Sequence, residues 1–159
     1  MNASEARRAA NNLALAGSLA HRGEAAAAWL LYGLFALLPV DAASWLGGAL
    51  GRLVGPHLGV TRNARRNLKR VFPEMQGAEL ERIISAMWDN LGRTAGEHPH
   101  LEKFDPYGAG SRVEVAGIEH MDALRDDGIA GIFFAGHLAN WELPPLAGTK
   151  RGLVVHAVY

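Results

Sequence analysis

The residues whose types and spacing could do chemistry lie in Gly-His-Leu-Ala-Asn-Trp-Glu, where His137 follows Gly136 and Glu142 comes five positions later. A carboxylate bonded to one imidazole nitrogen fixes the tautomer and stabilises the imidazolium, leaving the second nitrogen to take a proton. Such a pair is a general base. Within one regular helix, residues five apart point about 140° away from each other, so the two side chains would not meet there. The spacing wants a bend: His137 in the turn at the end of an apolar strand, Asn140 capping the next helix, and Glu142 in that helix's first turn, reaching back to the ring. Taken alone, a His and a Glu at this spacing are more often satisfied by local hydrogen bonds. The context, an apolar strand, a glycine, the histidine and then Trp141–Glu142, favours the base.

An enzyme-borne nucleophile is not apparent. The chain has no cysteine, which excludes disulfides, thiolate metal ligands and a cysteine nucleophile, and none of its five serines lies in a Gly-x-Ser-x-Gly elbow. The substrate is therefore expected to supply the hydroxyl that His137 deprotonates. His98 and His100 lack companions at metal-ligand spacing, so no metal and no cofactor is expected. Sixteen basic and sixteen acidic residues cancel, which removes any global field for nucleic acid and leaves electrostatic function local. A hydrophobic content of 49% is ordinary for a folded chain with a core. The nineteen glycines suit close helix packing and tight turns but equally reflect composition, and carry little weight.

These residues need elements to position them. Val113 and Val115 alternate in RVEVAG, IEHMDALRDD reads as a helix closed by Gly128, and IAGIFFAG reads as a buried strand. A short helix and GLVVHAVY complete a β-α-β-α-β order, so the expected fold class is α/β with parallel strands. The last strand runs to Tyr159 with no helix after it, which predicts an incomplete domain. Pro144 and Pro145 predict that the helix after Glu142 is short or starts late.

Upstream, HPHLEKFDPYGAGS reads as a loop, and Ala78 to Glu97 carries the strongest helical pattern, with Leu80, Ile83, Ile84, Met87, Trp88, Leu91 and Ala95 as its apolar stripe. Thr61 is expected to cap a helix bearing Arg62, Arg65, Arg66, Lys69 and Arg70. Arg62, Arg65, Arg66 and Lys69 share one face suited to anionic lipid headgroups or phosphates, or simply to water. Ala25 to Val40 is apolar but shorter than the roughly 20 residues of a membrane span. Asp41 reads as the N-cap of a second apolar segment that contains Arg52 and five glycines. Residues 1–60 are thus expected to form membrane-anchoring or interfacial helices, and 61–159 the first part of an α/β domain. The 24 residues before Ala25 include Arg7, Arg8, Arg22, Glu5 and Glu24, a pattern unlike a secretory signal peptide.

At GIFFAGHLANWELPPLAG the chain resembles the lipid A biosynthesis lauroyl acyltransferase family. The resemblance extends to RNARRNLKRVFPE, MWDNLGRTAGE, RVEVAGIEHM and the terminal HAVY. It implies an α/β fold with an N-terminal anchor on the cytoplasmic face of the bacterial inner membrane. It also implies acyl carrier protein as the donor and a hydroxyl of a lipid A precursor, or of another glycolipid, as the acceptor. The family motif places the catalytic base on His137 and its charge partner on Glu142, with Gly136, Asn140 and Trp141 shaping the turn. Ala135 stands where many members carry a small hydroxyl residue, and the paired prolines are unusual. Family members also continue past the final tyrosine with an arginine-containing motif.

Overall fold

The computed structural model describes residues 21–136 and 138–156. The chain divides into two compact units, one ending at Leu38 and one beginning at Pro39. In the first, residues 21–37 are helical (α1), with Trp29, Leu30 and Leu37 exposed and the Trp29 and Tyr32 rings meeting edge-on at 5.8 Å. Among the described residues no helix is long and apolar enough to cross a membrane. Residues 1–20 of the expected anchor region lie outside the described residues.

The second unit is built from helices α2 (Val40–Val54), α3 (Thr61–Val71), α4 (Gly77–Glu97), α5 (Ile118–Asp126) and α6 (Leu143–Lys150), with short 3₁₀ turns at Gly55–His57 and His98–Lys103. Its framework is the pair α2 and α4. A methyl group placed on Gly47 would overlap the Gly92 carbonyl oxygen, and one on Gly92 would overlap that of Gly47. Gly51 lies in the same way against the Trp88 carbonyl, and Gly96 against that of Ala43. Residue numbers that rise on α2 against falling numbers on α4 make the pair antiparallel. The spacing of four along Ala43, Gly47 and Gly51 lines up one face on which backbone meets backbone, and Gly55, just past α2, makes room for the Trp88 indole.

The apolar stripe expected on α4 is therefore only half of its packing face. Leu80 and Ile84 are buried as expected, but Met87 and Leu91 are exposed, and the buried face continues instead through Thr94 and Gly96. Polar bonds fasten the edges of the pair: Arg52 with Asp89, Asp89 with Arg93 at 2.8 Å, and Ser44 with Glu97 at 2.8 Å.

Two expected caps do something else. Thr61 is inside α3, after Val60; its buried hydroxyl donates to the Gly55 carbonyl at 2.6 Å and accepts the Trp88 indole N–H at 3.0 Å. It thereby joins the 3₁₀ turn, α3 and α4. Asp41 is in the first turn of α2 rather than at its N-cap, which is Pro39, and its carboxylate accepts from both terminal nitrogens of Arg112 at 2.6 and 3.0 Å.

The expected α/β sheet is overturned: among the described residues there is no strand. Both helices of the anticipated β-α-β-α-β order form, but 113–117, 129–136 and 153–156 are irregular. The physical reason is where each element finds its hydrogen bonds. A helix satisfies its backbone within its own few turns, whereas a strand needs neighbours supplied from elsewhere in the chain. β-branched and aromatic residues favour strands only in that paired, half-buried setting. Here the apolar run is not buried, with Ile132 80% and Phe134 94% exposed.

Around α5 and α6 the chain is held by an arginine cluster. Arg151 bonds to Asp122 and stacks over the Tyr107 ring at 5.3 Å, while Arg125 reaches Asp122, Asp126 and the Arg151 carbonyl. The Tyr107 hydroxyl donates to the Ala147 carbonyl at 3.1 Å, and burial pushes its pKa up.

If the glycine seam sets the approach of α2 and α4, Gly92→Ala forces the helices apart at an overpacking cost of about 1–3 kcal/mol. The midpoint of a thermal melt followed by circular dichroism should then fall by roughly 2–12 °C, at about 2–4 °C per kcal/mol for a chain of this size. Gly33→Ala, at a position with nothing within 4 Å, should show no such loss. An unchanged melt for Gly92→Ala would rule out backbone contact there. Hydrogen bonds from Arg112, Arg65, Arg151 and Arg125, reinforced by their charges, hold Asp41, Glu81, Asp122 and Asp126 respectively below the usual carboxylate pKa. Groups depressed in this way stabilise the fold above their unfolded pKa near ~4 and lose that contribution as pH falls through the folded values. The urea midpoint is accordingly expected to drop between pH 5 and pH 3, and less steeply in Arg112→Met.

Candidate active site

The chemistry-bearing block leaves the irregular apolar run and turns into α6. His137 itself lies outside the described residues; the turn that follows it is described from Leu138 onward. Ala139 has φ +48°, a left-handed conformation that a residue with a Cβ adopts only when its surroundings hold it there. The holding groups come from α4. The Thr94 hydroxyl lies 3.3 Å from the Ala139 carbonyl and 3.1 Å from that of Asn90, within donating distance of either.

Next in the turn, Asn140 is buried, and its Nδ2 donates to Glu97 Oε2 at 2.9 Å. The other carboxylate oxygen of Glu97 accepts the Ser44 hydroxyl at 2.8 Å. On its far side the Asn140 Oδ1 accepts the backbone N–H of Glu142 at 3.3 Å, and the Asn140 carbonyl accepts that of Leu143 at 3.2 Å. Four residues from α2, α4 and the turn are thus strung on one line of hydrogen bonds.

The expected roles of Asn140 and Glu142 shift by one step. Asn140 closes the turn before α6 rather than capping α6, and Glu142 stands at the N-cap position, half-buried, rather than in the first turn. α6 is short, as the prolines predict. They occupy its first turn, where backbone N–H groups have no partner inside the helix, so the missing donors cost no intrahelical bond. Trp141 is half-buried and Gly136 exposed. Among the described residues no group of His, Cys, Asp or Glu could hold a metal ion.

The basic residues of α3 are elsewhere. Arg65 is occupied by Glu81, with both bonds at 2.8 Å, and by the Pro56 carbonyl at 3.2 Å. Arg62, Arg66 and Lys69 are exposed, Arg66 reaching only the neighbouring Asn63 side chain at 3.2 Å. Glu81 and Glu97, the α4 residues that anchor α3 and the Asn140 turn, are sixteen residues apart on one helix, about 24 Å along its axis. The structure therefore does not bring the cationic face and the Asn140 turn together at α4.

Sequence reasoning missed Glu97, Thr94 and Ser44. A signal existed: Gly92 and Gly96 mark the stretch of α4 where another backbone comes close, and the polar residues interleaved with them, Thr94 and Glu97, are the ones placed to reach across.

No curated protein and no solved structure matches the chain significantly. The family model described as bacterial lipid A biosynthesis acyltransferase matches residues 18–156, a span that takes in α1 to α6, the Asn140 turn and both members of the His137–Glu142 pair. By that match over most of its length, the chain belongs to the bacterial lipid A biosynthesis acyltransferase family.

Proposed function

We propose that the chain carries the base of an acyl transfer in which a fatty acyl group passes from an acyl carrier protein thioester to a hydroxyl of a lipid A precursor. The family match over the Gly136–Glu142 block carries this reading. It is supported by the line of bonds that fixes the Glu142 backbone at the N-terminus of α6. The His137 ring takes the proton of the acceptor hydroxyl as its oxygen attacks the thioester carbonyl. The C–O bond forms, the C–S bond breaks, and the proton passes to the departing thiolate. Glu142 orients the ring and stabilises its charged form, and no acyl-enzyme is formed.

The same reading places the protein on the cytoplasmic face of the bacterial inner membrane. In support, α1 exposes Trp29, Leu30 and Leu37, and α3 exposes Arg62, Arg66 and Lys69. An interfacial attachment by apolar burial and attraction to anionic lipid fits these two features better than a span does. They also favour a second reading, in which this chain binds the membrane without turning over substrate.

Acyl transfer from the carrier thioester to a lipid A precursor should fall ~10²- to 10⁴-fold in His137→Ala, the range expected for loss of a general base. Undiminished transfer would overturn the base assignment. Binding to liposomes containing anionic lipid should weaken in the Arg66→Glu, Lys69→Glu double variant and with rising salt. Binding indifferent to both would remove the electrostatic part.

A further inference from the structure

Glu97 is a half-buried carboxylate at the last residue of α4, and among the described residues its hydrogen-bond partners are the Ser44 hydroxyl and the Asn140 amide. It takes one bond from the Ser44 hydroxyl and one from the Asn140 amide, so both of its oxygens are directed by neighbours on different segments. A carboxylate can only accept. Facing Glu97, Asn140 must therefore present its NH₂, which leaves its carbonyl oxygen pointing the other way, toward the Glu142 N–H. The charge on Glu97 thus selects one of the two possible orientations of the Asn140 amide. That orientation in turn ties down the backbone of Glu142.

We propose that Glu97 is a positioning residue, which acts through Asn140 to hold the Glu142 backbone and the left-handed Ala139 turn, and so fixes where the proposed charge partner Glu142 leaves the chain. This rests on the acyl-transfer reading above. The arrangement gives the Glu97 carboxylate at the α2–α4 seam a hydroxyl and an amide as its partners among the described residues, each directing one oxygen. It also explains the buried Asn140, which in any other orientation would set its carbonyl oxygen against the Glu97 charge.

The test compares Glu97→Ala, Glu97→Gln, Asn140→Ala and the Glu97→Ala, Asn140→Ala double variant in the acyl-transfer assay, beside His137→Ala. Loss of positioning should lower kcat ~10- to 100-fold with KM little changed in each alanine variant. The double variant should be no worse than the weaker single one, because both act along one line. Glu97→Gln should recover only part of the loss, because a neutral amide no longer dictates which way Asn140 faces. Its Oε1 can still accept from Asn140 while its Nε2 donates to the Ser44 oxygen. Multiplying losses, or a Glu97→Ala variant with full kcat, would overturn the proposal.

A second measurement is independent of turnover. The Asn140 side-chain amide protons, followed by NMR in ¹⁵N-labelled protein, should exchange slowly in the unmodified chain and quickly in Glu97→Ala. If they are unaffected, Glu97 does not hold Asn140, whatever the assay shows. If they respond as expected but transfer is insensitive to His137→Ala, the acyl-transfer reading fails, and with it the catalytic consequence of the bond.

Discussion

The approach of α2 to α4, backbone against backbone, is the constraint on which the second unit depends. Ordinary helix pairs are held 8–10 Å apart by the side chains between them. Here Gly47, Gly51, Gly92 and Gly96 leave carbonyl groups of one helix where a Cβ of the other would be. At so short a separation, dispersion between the two backbones takes the place of the burial of large side chains. A larger residue at any of these glycines would push the helices apart. The close approach is what brings short polar side chains at the margins of the seam within reach of partners. Thr61 and Trp88 meet at one end, and Ser44, Thr94 and Glu97 lie at the other.

The two ends of α4 therefore carry different attachments. Near its start, Arg65 ties the basic helix α3 to Glu81, which withdraws one cation from the face that the sequence pattern assigns to anionic ligands and leaves Arg62, Arg66 and Lys69 exposed. Near its finish, Glu97 and Thr94 hold the turn that leads into α6. The charged pairs elsewhere, Asp41 with Arg112 and the Asp122–Arg125–Arg151 cluster, lie at the surface and fasten irregular segments to helix ends. Exposed pairs of this kind contribute little each. Their effect here is to give direction to stretches that have no ladder of their own.

What could be read from the sequence follows the same division between local and borrowed hydrogen bonds. The helix expected at Ala78–Glu97 is found at Gly77–Glu97, the basic helix ends before Pro73 as its sequence dictates, and Gly128 closes α5 with φ +70°. Each of these depends on periodicity or on a breaker within the segment itself. The segments at 113–117, 129–136 and 153–156 fail as strands because alternation and apolar character describe how a strand would be buried, not whether a neighbour is present to pair with it. The glycines were legible too, but only as a spacing: four residues apart on each of two helices. As composition they meant nothing. At the site, the spacing of His137 and Glu142 calls for a bend, and the residues from Leu138 onward do turn. That Glu97 would hold the turn could not be read, since it required knowing which face of α4 meets which segment forty-three residues on.

The identity of residue 140 shows how narrow the chemistry of that turn is. Its side chain must donate to a carboxylate and accept from a backbone N–H two residues later, from a position shielded from water. Aspartate accepts only, and would set a second negative charge against Glu97 in a place of low dielectric. Serine can donate or accept but is too short to span both partners at once. Glutamine has the right groups on a longer, freer stem that would not close the two-residue turn. Asparagine meets all three demands, and it tolerates the crowded backbone next to a left-handed residue. The strain at Ala139, of order 1–3 kcal/mol for a residue held at positive φ, is then offset by bonds to Thr94 and Glu97 of α4, the second of which is held in turn by Ser44 of α2. The turn that leads into α6 is thus fixed by polar groups of α4, steadied from α2 through Ser44, rather than by a local preference of its own sequence.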